Sequence, residues 1–465
     1  MKLSSPAQLD RKYVWHPFTQ MRDWLKREPI VIVAGKGAVL RDAEGKEYLD
    51  ANSSIWTNLH GHRNAAIDAA IKSQLAKIAH SSALGLASQP ASLLAEKLAR
   101  LARPTARQGP LKVFFSDDGS TAMEAALKMA YEFTRRTGRS SKPKFLSLQS
   151  AYHGDTVGAV SLGHIDLFHK AYSGLLFRSD SVAAPFCYRC PFNRAKPERA
   201  DARLYRKCNW ECAGQVERKF RAQKKKGNPY AGFVFEPLIQ GAAGMVPQPE
   251  GWLRRAAEIA RAHGSLLIAD EVMTGFGRTG PLFACQSESV SPDLMALAKG
   301  ITGGYLPMAA TLATPEIFNA FLGRYDEFKT FFHGHSYTAN QLGAAASLAS
   351  LRLLESSSSI RARRELQEAL ARSLPSLWPL SNVGDIRQVG LIAGVELVRN
   401  WKTRQPFPLR QQVGIRVCEA MSRRGVLTRP AGNVIVVMPP FCTTPSQARR
   451  IISALRDSVE EVCGP

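Results

Sequence analysis

The sequence predicts an α/β protein with two parts, a large domain built on a mainly parallel sheet and a small α+β domain. In the middle of the chain, short runs rich in β-branched and aromatic residues alternate with helical patterns. Strands separated by helices pair in parallel and form a sheet that is covered on both faces. Nearer the C-terminus, strand-like runs follow a helix without that alternation, which favours a separate α+β unit.

The elements of the large domain begin with a strand at 112–115, whose Lys-Val-Phe-Phe sequence suits a half-buried sheet. The next stretch is rich in helix formers with apolar residues at helical spacing and predicts a helix at 122–134. Further short apolar runs and helical patterns follow in order. They predict strands at 144–148, 231–235 and 266–269, and a helix at 252–263.

The small domain is expected after a break between residues 340 and 360, where four serines occur in a row. A helical pattern at 361–373 precedes strand-like runs at 385–397 and 426–438. We therefore expect three segments along the chain. They are an N-terminal segment, 1–65, that contributes to the small domain and the active site, a large cofactor-binding domain, 66–340, and a small domain, 341–465.

The composition, 45% hydrophobic and 22% charged over 465 residues, excludes a disordered tail, a collagen-like repeat and a disulfide-dense miniprotein. No apolar run approaches the roughly 18 residues of a membrane span, and the first residues lack the apolar core of a secretory signal. We therefore expect a cytoplasmic protein with reduced cysteines and no membrane partner. The net charge of +23 suits either a nucleic-acid partner or an arginine-rich solvated surface.

The loop Asp-Asp-Gly-Ser-Thr at 117–121 joins the first strand to the first helix of the large domain. The backbone N–H groups of Gly119 and Ser120 would lie at the positive end of the helix dipole. This arrangement suits the binding of a phosphate. The alternative is an ordinary helix cap by a serine or threonine, which needs no ligand.

A carboxylate at a strand end and a lysine after an apolar stretch follow further along. Asp270 ends the apolar run 266–269, at the sheet edge where open α/β sheets bind ligands, and could hold a protonated ring nitrogen. Lys299 follows a mainly apolar stretch, where burial would lower its pKa and make it a nucleophile toward an aldehyde. Taken singly, a paired structural acid or a helix cap explains Asp270 equally well, and a surface lysine is the more ordinary explanation of Lys299.

The three features together match the three parts of pyridoxal phosphate that a protein must hold. This cofactor has a phosphate, a ring nitrogen that must stay protonated and an aldehyde that is carried as an imine. Tyr152, after another predicted strand, could stack on the ring. The sequence therefore predicts a pyridoxal-phosphate site built on Gly119, Ser120, Asp270 and Lys299.

The segments 268–280, 298–300 and 302–304 resemble the class III, fold-type I pyridoxal-phosphate aminotransferases. Within that class, the segments 15–20, 332–337, 427–430 and 438–440 are similar to the subgroup that aminates 8-amino-7-oxononanoate to 7,8-diaminononanoate in biotin formation. The resemblance implies a homodimer and two half-reactions that pass through pyridoxamine phosphate.

The resemblance also implies a role for each matching residue. Lys299 would carry the cofactor and move the proton, Asp270 would pair with the ring nitrogen, and Tyr152 would stack on the ring, with His153 and Asp155 shaping that loop. Besides these three, the implied cofactor-binding residues are Gly119, Ser120 and, across a dimer interface, His335 and Ser336. The implied substrate-binding residues are Phe18, Ile55, Trp56, Tyr152, Lys299, Gly334 and Arg429. By itself, Arg429 would be interpreted as one half of a surface ion pair.

Two departures from the subgroup concern the amino donor. Many members have Tyr where this chain has Phe18, and a second Trp where it has Ile55. The hydroxyl and the indole are both missing, so the donor is either adenosylmethionine or lysine. The nearest rival function is another class III aminotransferase that acts on an ω-amino acid or a diamine.

A cysteine-rich basic insert at 187–226 is the part that this resemblance explains least. Residues 189–226 hold 13 Lys and Arg against four acids. Four cysteines in two pairs could hold zinc or an iron–sulfur cluster, or be free or structural thiols: Cys187, Cys190, Cys208 and Cys212. A metal-stapled nucleic-acid-binding protein is the remote alternative, although a solvated loop is the ordinary explanation and no nucleic acid is expected.

Overall fold

The structure of the chain, a computed structural model, describes residues 5–102 and 111–464; residues 1–4, 103–110 and 465 lie outside that description. The first part supplies an antiparallel three-stranded unit with short helices around it. These elements are α1 (Pro6–Tyr13), α2 (Met21–Trp24), β1 (Ile32–Lys36), β2 (Val39–Asp42), β3 (Glu47–Asp50), the irregular turn α3 (Ser53–Trp56), α4 (Ala65–Leu75) and α5 (Gln89–Leu101).

A seven-stranded sheet forms the centre of the large domain. Its strands, with a small hairpin (β8–β9) beside it, are β4 (Lys112–Ser116), β5 (Lys144–Leu148), β6 (Asp180–Val182), β7 (Tyr230–Phe235), β8 (Ile239–Gln240), β9 (Val246–Pro247), β10 (Leu266–Asp270), β11 (Leu294–Leu297) and β12 (Ala309–Ala313). Their order is β4-β12-β11-β10-β7-β5-β6, and only β12 runs antiparallel to its neighbours. The predicted α/β class with a mainly parallel sheet is therefore confirmed.

Helices and 3₁₀ turns cover this sheet. The α-helices are α6 (Gly119–Arg136), α7 (Val157–Leu162), α8 (Asp166–His169), α9 (Ala202–Tyr205), α10 (Glu211–Lys225), α11 (Trp252–Ala262) and α12 (Pro315–Asn319). Every residue of β7, β10, β11 and β12 is buried, as expected for strands covered on both faces. The apolar face of α6 packs on β10 to β12 with Ala122, Ala126 and Phe133 at its centre.

The C-terminal part begins with two long helices and contains a second sheet. Its elements are α13 (Gln341–Glu355), α14 (Ser357–Ser373), β13 (Val383–Val389), β14 (Ile392–Asn400), β15 (Gln405–Pro406), α15 (Val413–Arg423), β16 (Val426–Leu427), β17 (Pro430–Ala431), β18 (Val434–Val437) and α16 (Pro445–Cys463). Strand β16 pairs in parallel with β3. The N-terminal segment and the C-terminal part therefore share a sheet.

The predicted elements differ from the structure in a few details. The single strand expected at 385–397 is two strands, β13 and β14, because the chain turns at Gly390 with a φ of +58°. The run expected as a strand at 426–438 is three short strands, β16, β17 and β18. The expected domain break at 340–360 stays a prediction; helix α13 lies there, and Ser356, which caps α14, separates it from α14. Strand β12 was missed because its Ala-Ala-Thr-Leu-Ala sequence carries little β-propensity.

No helix within the two described ranges has both the length and the apolar character needed to cross a membrane.

Candidate active site

Asp270 and Lys299 lie together at the carboxyl edge of the large sheet. Asp270 is the last residue of β10 and pairs in register with Ala296 on the parallel strand β11. Lys299 follows β11 by two residues and opens a 3₁₀ turn. Because both strands point the same way, the chain returns to the same sheet edge at the lysine, 29 residues after the carboxylate.

The Asp270 carboxylate is buried and is held from two sides. Its Oδ1 accepts the backbone N–H of Val272 at 3.0 Å, and its Oδ2 lies 2.7 Å from Nδ1 of His153. Each oxygen keeps lone pairs that these contacts do not use. The carboxylate is therefore fixed in orientation and still able to accept a proton-bearing ring nitrogen.

Lys299 is held in a strained backbone conformation next to an aromatic ring. Its φ is +45°, a left-handed value that is uncommon for a lysine and typical of functional sites. Its Nζ lies 4.8 Å from the centre of the Trp56 ring. Burial lowers the pKa of Lys299, although the charges of Asp270 and Glu236 oppose that shift. A lysine with a lowered pKa is neutral, and hence nucleophilic, for a larger share of the time.

The predicted phosphate loop is the first turn of α6, but its cap is not the predicted serine or threonine. Asp118 caps the helix by accepting the N–H of Thr121 at 2.9 Å. The Ser120 hydroxyl instead bonds the hydroxyl and the N–H of Thr156 at 2.8 and 2.9 Å. The N–H groups of Gly119 and Ser120 are thus left as the free donors of a helix N-terminus.

Close approaches join this loop to the rest of the site. A Cβ on Gly119 would lie 2.6 Å from Cγ1 of Val272, two residues after Asp270. A Cβ on Gly154 would lie 2.3 Å from the Ser120 hydroxyl, and Gly154 has a φ of +120°. The two glycines let the Tyr152 loop and the end of β10 pack directly against the start of α6.

Replacing Gly154 by Ala should therefore weaken cofactor binding. The new Cβ must displace Ser120 and also adopt a left-handed φ, which together cost about 1–3 kcal/mol, or roughly a 10-fold rise or more in the dissociation constant for pyridoxal phosphate. Titration of the purified variants with the cofactor measures this. Gly138→Ala is the matched control, because Gly138 has a φ of +70° with no atom near its Cβ position. Equal cofactor affinities for both variants would contradict the prediction.

Tyr152 is fixed at both ends. Its hydroxyl donates to Oδ2 of Asp155 at 2.7 Å, and its N–H lies 3.3 Å from Oε1 of Glu236. Burial, together with the neighbouring carboxylates, raises the pKa of the Tyr152 phenol far above its usual range. The ring is therefore a neutral, rigid surface at every pH at which the protein works.

The N-terminal segment reaches the same place. The exposed ring of Phe18 lies 6.5 Å from the Tyr152 ring and 5.2 Å from that of Phe168. Trp56 donates its indole N–H to Asn52 at 2.9 Å, and the neighbouring Ile55 is about half exposed. Phe18 therefore lies at the Tyr152 loop, and Trp56 lies at Lys299.

The other predicted site residues lie in two segments, one at 334–336 and one at Arg429. His335 lies 3.5 Å from Asp117, beside the start of α6, and the carbonyl of Ser336 accepts a hydrogen bond from His80 at 2.9 Å. Gly334 has open space at its Cβ position. Arg429 is exposed between β16 and β17, and none of the ion pairs among the described residues includes it, which does not match the surface ion pair considered from sequence.

Glu236 is a site residue that the sequence reasoning missed. It follows β7 directly, and Phe235 is in register with Ala269, so Glu236 lies beside Asp270. It is buried, and its oxygens accept the N–H groups of Tyr152 and Gly241. The signal was available, since an acid directly after a wholly apolar strand marks the same sheet edge as Asp270.

The residues present fit pyridoxal phosphate. The start of α6 offers free N–H groups for the phosphate, and Nε2 of His335 nearby is buried without a partner among the described residues. Asp270 suits the ring nitrogen, and Lys299 suits the aldehyde. Each part of the cofactor thus has a group of matching chemistry at this sheet edge.

The cysteine-rich insert is joined to the C-terminal part of the protein by its arginine side chains. Arg189 bonds Glu396 at 2.7 Å, Arg199 donates to the carbonyl of Leu380 at 2.6 Å, and Arg203 donates to that of Gln388 at 2.8 Å. A good part of the basic excess of this insert therefore faces protein.

Its cysteines are free thiols. Cys187 and Cys212 are buried, and burial raises their pKa values to about 12 and about 11. Over residues 5–102 and 111–464, no group of three or more His, Cys, Asp and Glu side chains is arranged to hold a metal ion. The geometry thus agrees with the thiol alternative.

Comparison with known proteins identifies the class. The family model for class-III aminotransferases matches residues 21–459. The chain belongs to the class-III aminotransferases, which confirms the predicted enzyme class, a transaminase, and the fold-type I architecture. The predicted cofactor of that class, pyridoxal phosphate, is confirmed with it.

The particular relatives are more specific. The chain is 48% identical over 98% of its length to the adenosylmethionine-8-amino-7-oxononanoate aminotransferase of Geobacter sulfurreducens, covering 97% of that protein. The crystal structure of the enzyme of that name from Methanocaldococcus jannaschii has a TM-score of 0.90 at 38% identity, with 98% of each chain covered. A pyridoxal-phosphate-bound amine transaminase from an uncultivated Pseudomonas species has a TM-score of 0.87 at 32% identity, covering 97% of this chain and 99% of its own.

Proposed function

We propose that the protein aminates 8-amino-7-oxononanoate to 7,8-diaminononanoate, a step of biotin biosynthesis. The observation that carries the proposal is the near-complete, 48% identical match to a relative of that name, together with a site that holds Asp270, Lys299 and Tyr152 at one sheet edge. Pyridoxal phosphate, when bound, supplies a ring that withdraws electrons and carries the amino group between the two substrates.

Lys299 is the residue that handles the protons. Its lowered pKa lets Nζ accept a proton from the substrate Cα and return it, which is general acid–base catalysis by one side chain. Asp270 keeps a negative charge where the ring nitrogen must stay protonated, and the rigid Tyr152 ring covers one face of the site. Trp56 and Phe18 narrow the opening above Lys299 and keep water away from it.

Arg429 suits the distal carboxylate of the oxononanoate. Its guanidinium is exposed and free of ion pairs in the described structure, and it can bind both carboxylate oxygens at once. Strand pairing of β16 with β3 brings this part of the chain beside the segment that carries Trp56. Gly334 would border the same substrate, and Ser336 would complete the phosphate site of the partner in a homodimer, whereas His335 lies beside the start of α6 in its own chain.

Activity with a panel of acceptors tests the proposal. The purified holoenzyme should convert 8-amino-7-oxononanoate and leave γ-aminobutyrate, ornithine and β-alanine unreacted. The rival, an enzyme for ω-amino acids or diamines, is tested because the chain is also similar, at lower identity, to amine and ω-transaminases. Turnover of those amines without turnover of the oxononanoate would establish the rival instead.

The amino donor needs its own test, because Phe18 and Ile55 alter the donor pocket. Adenosylmethionine is the donor in the names of the relatives, and lysine is its rival. Each donor is offered alone, and the change in the cofactor spectrum is followed in a single turnover. A response to lysine only would refute adenosylmethionine. Phe18→Tyr restores a hydroxyl beside Tyr152 and should strengthen the response to adenosylmethionine.

We infer further that the protein works as a homodimer in a reducing compartment such as the cytoplasm. Several large apolar side chains are almost fully exposed in the single chain, among them Leu84, Tyr325 and Trp15, and a partner would cover them. All eight cysteines are free thiols, as a reducing compartment requires. Light scattering of the holoenzyme should give twice the mass of 51.0 kDa.

A further inference from the structure

The turn that carries Trp56 has a strained backbone. Ser53, Ser54 and Trp56 have φ values of +48°, +61° and +66°, although none of them is glycine. Residues with a side chain rarely adopt positive φ values, and they keep them only where the surrounding contacts hold them. The ring of Trp56 lies 4.8 Å from Nζ of Lys299. The contacts that hold this turn therefore determine where the ring lies relative to the lysine.

Asp50 holds the backbone of the turn. It is the last residue of β3, and its carboxylate is buried. Its two oxygens accept the N–H of Ser54 at 3.0 and 2.8 Å, and Oδ1 also accepts the N–H of Asn52 at 3.2 Å. Hydrogen bonds to an ionised acceptor are stronger than those between neutral groups. One carboxylate thus fixes the backbone on both sides of Ser53.

His62 fixes the orientation of this carboxylate. Its Nε2 lies 3.1 Å from Oδ2 of Asp50, and its Nδ1 lies 3.1 Å from Nδ2 of Asn58. Oδ1 of Asn58 accepts the N–H of Gly61 at 2.8 Å, so the amide nitrogen of Asn58 faces the imidazole. The tautomer with its proton on Nε2 fits both contacts, because Nδ1 then accepts from Asn58 and Nε2 donates to Asp50. A chain of hydrogen bonds therefore runs from Asn58 to the turn.

The Trp56 ring itself has apolar neighbours and one polar one. It packs against Met273, and a Cβ on Gly241 would lie 3.3 Å from Cζ3 of Trp56. These apolar contacts are not directional. The indole N–H, in contrast, donates to Oδ1 of Asn52, which belongs to the turn. The turn therefore sets the orientation of the ring.

We propose that Asp50, oriented by His62, is a positioning residue that holds the Trp56 ring at Lys299 through the turn 52–56. None of the described hydrogen bonds or ion pairs joins Asp50 or His62 to Lys299, so both act through the turn. An aromatic ring at this distance attracts the protonated Nζ and keeps water away from it. The proposal rests on the aminotransferase chemistry described above.

Asp50→Asn tests the hold on the turn. Both oxygens of Asp50 accept N–H groups, so the NH₂ group of asparagine meets a donor whichever way the amide is turned. In the holoenzyme, hydrogen–deuterium exchange of the peptide 52–58 should become about 10-fold faster or more, because hydrogen bonds to a charged group are lost. Unchanged exchange in this peptide would overturn the proposal.

A double-mutant cycle with Trp56→Ala tests whether Asp50 acts through the ring. Asp50→Asn should lower kcat/KM about 10-fold, the value of a desolvated contact between a cation and an aromatic ring. The double variant should be no slower than Trp56→Ala, because no ring is left to position. Losses that multiply in the double variant would refute action through Trp56. The cycle can use any amino acceptor that the enzyme converts, so failure with the oxononanoate would refute the proposed function only.

Two variants of His62 test its part and leave the Asp50 carboxylate in place. His62→Gln keeps one donor and one acceptor, and should retain most of the wild-type kcat/KM. His62→Leu removes the donor to Asp50, and should speed exchange at 52–58 and lower kcat/KM in the same direction as Asp50→Asn. Equal values of kcat/KM for the two variants would contradict the orienting role of His62.

Glu288→Gln is the matched control for stability. Glu288 is also buried, and its two oxygens accept the N–H groups of Gly251 and Arg254, both at 2.8 Å, so a glutamine NH₂ group there also meets a donor. This variant should lose thermal stability but keep the wild-type exchange at 52–58 and the wild-type kcat/KM. A loss of kcat/KM as large as that of Asp50→Asn would mean that lowered stability alone explains both, and would overturn the proposal.

Discussion

Lys299→Ala should abolish the visible absorbance of the protein-bound cofactor and lower kcat/KM by on the order of 10⁴-fold or more. Alanine removes both the amine that would hold the aldehyde and the basic group that the geometry places at the Trp56 ring. The protein should still bind pyridoxal phosphate weakly, because the start of α6 and Asp270 remain. Absorbance spectra and initial rates on the same preparation measure both effects.

Two controls show that the loss concerns proton transfer. Lys299→Arg keeps the positive charge but has a group that does not lose its proton at working pH, so it should be as inactive as alanine. Small primary amines added to Lys299→Ala should restore part of the rate, since they can carry the proton in place of Nζ. A variant that keeps its visible absorbance and more than about a tenth of the wild-type rate would contradict the assignment of Lys299.

The sequence was sufficient for the parts of the site that lie at strand ends. Asp270 and Lys299 follow strongly apolar runs, and apolar runs of strand length are the most direct signal in an α/β chain. Parallel pairing then brings them to one edge without any knowledge of the contacts. The loop at Gly119 was also within reach, because a helix pattern and its start can be identified together.

The sequence was not sufficient for the contacts that join distant segments. The cap of α6 was expected from a serine or threonine, but Asp118 caps the helix while Ser120 turns to Thr156, 36 residues away. The closeness of Phe18 and Tyr152 depends on how the N-terminal segment crosses the sheet edge. The position of Glu236 directly after an apolar strand was a usable signal, but its contacts with the N–H groups of Tyr152 and Gly241 leave no pattern in its own segment.

The contacts of the charged residues in the insert could not be predicted from the sequence either. Its arginines suggested an anionic partner or a solvated loop, because a sequence shows which residues are charged but not which groups their side chains contact. In the structure, Arg189 reaches a carboxylate of the C-terminal sheet and Arg199 reaches its backbone carbonyls. The number of Lys and Arg residues in a segment therefore says little about binding partners until the carboxylates and carbonyls that they contact within the protein are known.

The largest expected change in stability concerns the ion cluster at which the insert meets that sheet. Arg387 is almost fully buried, bonds Asp385 at 2.8 Å and Glu396 at 2.7 Å, and donates to the carbonyl of Gly244. Arg189 completes the cluster by bonding Glu396 from the insert. The cluster thus has two cations and two anions and no net charge, with Arg387, Asp385 and Glu396 buried and Arg189 at its more exposed edge.

Arg387→Met should lower the free energy of unfolding by about 3–5 kcal/mol, because it leaves two carboxylates buried with too little positive charge. Urea denaturation measures the change. Burial already raises the pKa of Asp385 to about 6 even with Arg387 present, and loss of Arg387 raises it further. The same loss removes the largest of the charges that lower the pKa of Glu396. An acid with a raised folded-state pKa loses stability as pH rises through that pKa, so the variant should be impaired more at about pH 8 than at about pH 5.

Arg189→Met is the control that shows how much of the loss of stability depends on burial of the arginine. Arg189 is about a third exposed and shares Glu396 with Arg387, so its loss leaves that carboxylate one partner and access to water. We expect a loss of only about 1 kcal/mol, with little dependence on pH. A loss below about 1 kcal/mol for Arg387→Met, or one that is the same at both pH values, would contradict the buried cluster. Equal losses for the two variants would instead mean that the attachment of the insert, and not the neutralisation of Asp385, limits the stability of the small sheet.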